Sequence, residues 1–152
     1  TQDPLVGGGR IIGEGCHFID LLRFLARSPV SSWRVSSMKA PTRDTVSIEL
    51  QFADGSIGTV HYFANGSKQF PKERLEVFCE GRVLQLDNFR RMSAYGWPGF
   101  NKMNLWRQDK GQNFCVCSFI KGIENGGHAP IAFEEIVEGT RISILAQRQD
   151  SL

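Results

Sequence analysis

Apolar residues at Ile11, Phe18, Leu22 and Leu25 recur at helical spacing, which predicts an amphipathic helix from residue 11 until Pro29 stops the pattern. Gly13 and Gly15 then fall inside that helix, where each costs about 1 kcal/mol relative to alanine. Beyond it, residues 30–40 read as a strand, and Val46, Ile48, Leu50 and Phe52 alternate as a half-buried strand does. Asp54-Gly55 is a hairpin signal leading into a return strand over Ile57–Phe63, and Asn65-Gly66 marks a further turn. Strands are predicted over Arg74–Cys79 and 82–86 about the Glu80-Gly81 turn, with shorter ones over 90–95 and 102–107. Helical period returns near Gln112, with Val116, Phe119, Ile120 and Ile123 on one face. A last helix follows Pro130, acidic in its first turns and basic later.

Helix, strand meander and two helices describe an α+β fold: a mostly antiparallel open sheet with helices packed on one face. The other face is left for a partner subunit. The chain has 152 residues, 41% of them hydrophobic, so it reads as one domain over 1–152. Its 18 basic and 16 acidic residues give a net charge of +2, too small and too evenly spread to point to nucleic acid or membrane. No apolar run approaches the roughly 20 residues that span a bilayer, and no signal segment opens the sequence, so a cytoplasmic protein is expected. Cysteines at 16, 79, 115 and 117 lack the paired spacing of a zinc site, and no metal is expected. Cys16 reads either as a small buried filler or, beside His17, as a reactive thiolate.

Chemistry concentrates at the first helix. Five glycines, His17 and Asp20 lie within residues 7–20, and Gly13, His17 and Asp20 share one helical face. Gly7-x-Gly9-x-x-x-Gly13 is a poor dinucleotide fingerprint, since only the turn-like Thr1-Gln2-Asp3-Pro4-Leu5-Val6 precedes it where a buried strand is required. His17 is a candidate general acid or base, or alternatively a histidine satisfied by a backbone carbonyl. Asp20 either orients the imidazole or touches substrate, or it pairs with Arg23 or Arg27. His61 reads as a solvated strand residue and His128 as an exposed loop residue.

The stretch GGGRIIGEGCHFIDLLRFL resembles the start of the C-terminal domain in the glucose-fructose oxidoreductase, inositol dehydrogenase and MocA family. The segments DGSIGTVHYFANGS, RLEVFCEGRVLQLDNF and FIKGIENGGHAPIAFEEIVEGTRISILAQ follow in that family's order, so the resemblance covers nearly the whole chain. It implies a fold like the C-terminal domain of glyceraldehyde-3-phosphate dehydrogenase, whose free sheet face builds a homo-oligomer. It implies an NAD- or NADP-dependent oxidoreductase acting on a sugar, cyclitol or nucleotide sugar by hydride transfer. His17 matches the family's first-helix histidine, which acts with a lysine of an N-terminal nucleotide-binding domain. Glu14, Asp20, Asn65 and Lys68 are candidates for substrate hydroxyl or anionic groups, and Gly13 leaves the helix bare for the nicotinamide. The resemblance also shows departures. The acid usual four positions before the histidine is replaced by Gly13, and neither a nucleotide-binding fingerprint nor the family's Glu-Lys-Pro segment occurs in this sequence. The expectation is therefore a C-terminal module that is inactive alone. The alternative is a non-catalytic sugar-sensing or assembly module of the same fold.

Overall fold

A computed structural model describes residues 8–39, 44–127 and 129–149. A π-helical turn over Ile11–Gly15 runs into α1 (Cys16–Ala26), followed by β1 (Val30–Ser37), β2 (Thr45–Phe52), β3 (Ile57–Phe63), β4 (Arg74–Cys79), β5 (Arg82–Asp87), β6 (Arg91–Tyr95) and β7 (Lys102–Asn104). Helices α2 (Gln112–Glu124) and α3 (Phe133–Gln149) complete the order. The α+β class and the antiparallel meander hold, with the strands in two ladders, β1-β2-β3 and β4-β5-β6-β7. The chain divides into two compact units, Thr1–Asn65 with His128–Leu152 and Gly66–Gly127. Ala40 and His128 lie outside the described residues.

The first unit holds the core. Along β2, Val46, Ile48, Leu50 and Phe52 are buried against the helices, and Val60 of β3 joins them. From above come Ile11 of the π-turn, Ile19 of α1, and Ile142 and Ala146 of α3. The helices lie close to the sheet because β3 carries Gly58 where any side chain would intrude. An added Cβ would stand 2.9 Å from Leu22 Cδ1 and 3.3 Å from Phe52 Cε2. The free face alternates with the core face and carries Ser32, Arg34, Ser36, Ser47, Glu49, Thr59 and His61. On that face Ser47 Oγ lies 2.9 Å from His61 Nδ1.

Charged contacts tie α1 and α3 together at one end. Arg23 Nε donates to Glu138 Oε2 at 2.7 Å and its Nη2 lies 3.5 Å from Glu135 Oε1, while the Val30 N–H donates to Glu138 Oε1 at 2.8 Å. At the other end the Ile11 N–H donates to Gln147 Oε1 at 3.1 Å, giving a helix-start amide a partner. Gly9, at φ +95°, makes room for this: a Cβ there would meet Gln147 Oε1 at 2.5 Å.

The helix start departs from the expected α-geometry. The Cys16 N–H reaches back five residues to the Ile11 carbonyl, which widens the turn. At about 100° per residue Ile11 and Ile19 would point about 80° apart. The wider turn rotates less per residue, and both side chains reach the core. Helix α1 ends where Arg27 adopts a left-handed conformation, φ 53°, and its N–H returns to the Arg23 carbonyl.

In the second unit, β4 and β5 join through Glu80 and Gly81 at positive φ, and β5 and β6 through Asn88 and Phe89 at φ 50° and 49°. Phe89 is a bulky residue in a conformation that favours glycine, and Lys110 Nζ lies 5.8 Å from its ring centre while pairing with Glu73 at 2.6 Å. Among its described residues this unit buries only Ala94 and Glu73, and α2 buries none.

Replacing Gly58 by valine should force Leu22 and Phe52 apart and cost about 1–3 kcal/mol. Urea unfolding checks this, and an unchanged midpoint would show that the helix layer yields freely there.

Candidate active site on the first helix

The packing that buries Ile11, Gly15 and Ile19 leaves Gly13, His17 and Asp20 exposed on the opposite side. His17 sits in the first turn of α1, directly after the π-turn, with its imidazole exposed and making no hydrogen bond among the described residues. It is not a buried histidine held by a backbone carbonyl. Asp20 is exposed beside α3, its Oδ1 4.0 Å from where a Cβ on Gly139 would stand. The expected alternative pairing of Asp20 with Arg23 is not formed, because Arg23 turns across to Glu138 and Glu135.

Glu14 is drawn into a cluster with Tyr62 and Arg10. Tyr62, on the core side of β3, donates its hydroxyl to Glu14 Oε2 at 2.7 Å. Arg10 Nη1 donates to Glu14 Oε1 at 2.8 Å and to the Tyr62 hydroxyl at 3.3 Å. Arg10 Nε is buried without a partner among the described residues. Partial burial pushes the Tyr62 phenol above its ordinary value, and the hydrogen bond to Glu14 and the charge of that carboxylate push the same way. Burial likewise raises the Cys16 thiol, which favours the neutral filler over the thiolate.

The other sequence candidates lie elsewhere. Asn65 lines a shallow hollow with Ser36, Met38, Thr45, Ser47 and Phe63, its amide 3.8 Å from Met38 Sδ. Ser36, Ser47 and Phe63 place that hollow on the sheet face away from the helices. Lys68 is exposed in the second unit. Gly13, Glu14, His17 and Asp20 thus share one helical stretch, Asn65 lies on the free face of the sheet, and Lys68 belongs to the second unit. Tyr62 and Arg10 were missed. The available signal was the alternation of Val60 and Tyr62 toward the core, which puts a hydroxyl under the helix start.

The glycine run does not cradle a phosphate at its described end, since Gln147 fills the space beside Gly9. Among the described residues no group of His, Cys, Asp and Glu is placed to hold a metal ion.

The model of the GFO/IDH/MocA C-terminal domain matches residues 1–85, more than half of the sequence. The chain belongs to the GFO/IDH/MocA family. Comparison with curated proteins gives no match. Among solved structures, a dehydrogenase from Chromobacterium violaceum superposes with a TM-score of 0.78 at 14% identity, over 99% of this chain and 50% of that one. The UDP-N-acetylglucosamine 3-dehydrogenase of Acidithiobacillus ferrooxidans gives 0.77 at 14% identity, over 97% and 50%. An oxidoreductase from Agrobacterium radiobacter, solved with NAD+, L-tartaric acid and magnesium, gives 0.70 at 14% identity, over 91% and 46%. The TM-scores show a shared fold, and at these identities the likeness shows the fold alone. This GFO/IDH/MocA chain spans about half the length of these three proteins.

Two outcomes are expected. Alkylation by iodoacetamide at about pH 8 should label the exposed Cys79, Cys115 and Cys117 before Cys16, as peptide mass spectrometry would show. The Tyr62 phenol, with its folded value raised above about 10, contributes stability that is complete below about pH 10 and is lost as pH rises through the folded value. Urea midpoints should therefore fall more steeply above about pH 10 in the wild type than in Tyr62→Phe.

Proposed function

We propose that this chain is the substrate-side half of an NAD(P)-dependent oxidoreductase acting on a secondary alcohol of a sugar, cyclitol or nucleotide sugar. One observation carries the reading: His17 stands exposed in the first turn of α1, on the face shared with Gly13 and Asp20, while the apolar side of the same helix is fixed in the core. A neutral imidazole there takes the proton of a substrate hydroxyl as the carbon is oxidised and returns it in the reverse direction. Asp20, one turn further, orients the imidazole or a neighbouring hydroxyl.

NAD(P), when bound, accepts or supplies the hydride. The residues present fit its reacting end only: Gly13 is exposed and carries no side chain, whereas the space beside Gly9 is taken by Gln147. The phosphates are accordingly assigned to a nucleotide-binding domain that partners this one. That the relative from Acidithiobacillus ferrooxidans is a UDP-N-acetylglucosamine 3-dehydrogenase and that the one from Agrobacterium radiobacter holds NAD+ supports the substrate and cofactor classes. A second copy is inferred to cover the free sheet face, where Ile57 and Phe63 of β3 are exposed among polar neighbours. The four unpaired cysteines suit a reducing compartment, the cytoplasm.

A second reading, a non-catalytic sugar-sensing or assembly module, is favoured by the absence of a carboxylate at Gly13 and by the engagement of Glu14 with Tyr62 and Arg10. Turnover of UDP-N-acetylglucosamine with NAD+, in the protein joined to its nucleotide-binding half, separates the two. His17→Ala should lower kcat by about 10²–10⁴ with the fold intact. Unchanged turnover would refute the assignment.

A further inference from the structure

Strand β1 pairs with β2 on one side, and among the described residues no strand pairs with its other edge. The ladder decides which backbone groups stand on that edge. The Met38 N–H donates to the Thr45 carbonyl at 2.9 Å, one step beyond the Ser37–Val46 pair, so the alternate residues Ser36, Arg34 and Ser32 likewise bond to β2. Trp33, Val35 and Ser37 lie between them and hold their N–H and C=O groups outward, with no partner among the described residues. Sheet edges are ordinarily blunted by proline, lysine, a bulge or a covering element. Residues 32–37 contain neither proline nor lysine, and the register irregularity of β1 is confined to the step from Val30 to Ser32. Trp33 and Val35 pack against the core, yet both stay partly accessible at the edge.

We propose that this edge docks a second copy of the chain, the two β1 strands pairing antiparallel about a two-fold axis at Val35 into one continuous sheet. The residues of β1 select both partner and register. Outward groups must meet outward groups, and an axis at Val35 sets Val35 against Val35 and Trp33 against Ser37, each pair exchanging two hydrogen bonds. An axis at Arg34 would set the two arginines directly opposite each other, and one at Trp33 would bring Pro29 and the irregular Ser31 into the contact. An axis at Ser36 would carry Trp33 past the end of the strand, to Lys39. With the axis at Val35, Arg34 faces Ser36 of the second copy and keeps Glu49 of its own β2 beside it. On the core face the two valines meet with a Trp33 on either side, so the pair covers the apolar surface that one edge leaves open. The two-fold stands perpendicular to the sheet and keeps both free faces on one side. This contact is therefore separate from the covering of the free face inferred above, and from the role of His17.

Hydrogen exchange read residue by residue, with sedimentation of the same samples of the full chain under reducing conditions, tests this. In dilute solution the amides of Trp33, Val35 and Ser37 should exchange freely while those of Arg34 and Ser36 are protected. At concentrations where the dimer forms, the first three should slow by about tenfold or more. Ser37→Pro removes an outward N–H without touching the ladder to β2, and should weaken the dimer about tenfold. Ser36→Arg should weaken it and Ser36→Glu should strengthen it, each by roughly threefold to tenfold, because residue 36 faces Arg34 of the other copy at two symmetric places. Both changes lie on the exposed face, so they keep the test open if the proline variant unfolds. A strictly monomeric chain, a dimer whose edge amides still exchange freely, edge amides protected at every concentration, a folded Ser37→Pro that dimerises unchanged, or residue-36 variants that fail to move the dimer in opposite directions would overturn the inference.

Discussion

The seating of Ile11, Ile19, Ile142 and Ala146 on Val46, Ile48 and Leu50 decides everything else in the first unit. A helix of fixed period can bury only one stripe, so committing Ile11 and Ile19 to the sheet commits Gly13, His17 and Asp20 to the outside. The exposed histidine follows from the core that lies below it. The π-turn belongs to the same constraint, because Ile11 reaches the core only where the backbone rotates less per residue. Gly9 and Gln147 then anchor the start of that turn to α3.

Polar contacts complete what the apolar ones begin. Arg23 with Glu138 fixes one end of the helix pair, Gln147 with the Ile11 amide fixes the other, and the Tyr62–Glu14–Arg10 cluster binds the π-turn to the sheet. The Arg23–Glu138, Ile11–Gln147 and Tyr62–Glu14 contacts join residues far apart in sequence and partly shielded from water, where a hydrogen bond to a charged group contributes about 1.5–3 kcal/mol and the neutral one of Gln147 about 0.5–1.5 kcal/mol. The candidate site therefore rests on a rigid floor.

Much of this was legible in the chain of letters. Alternation at Val46, Ile48, Leu50 and Phe52, the Asp54-Gly55 turn and the helical spacing that ends in Leu22 and Leu25 are local signals, and the elements stand where those signals put them. His17 and Asp20 were readable as one exposed face because i and i+3 neighbours need no tertiary information. What escaped was non-local. Glu14 is claimed by a tyrosine 48 positions away, and Arg23 prefers glutamates more than 110 positions away to Asp20 beside it. The π-turn escaped because two glycines within five residues leave hydrogen-bond register open, and the core decides it. Asn65 and Lys68 were grouped by their closeness in sequence, yet Asn65 ends on the free sheet face and Lys68 belongs to the second unit.

The first unit is discontinuous: residues 66–127 are spelled between its sheet and its last helix. On a ribosome α1 and the three-stranded ladder emerge before the second unit, and their apolar faces, Ile19 and Ile48 among them, must wait for that whole unit to be synthesised before Ile142 and Ala146 arrive to cover them. Birth order thus runs against packing order. The nascent chain carries an open hydrophobic face while residues 66–127 are made, and α3 closes it.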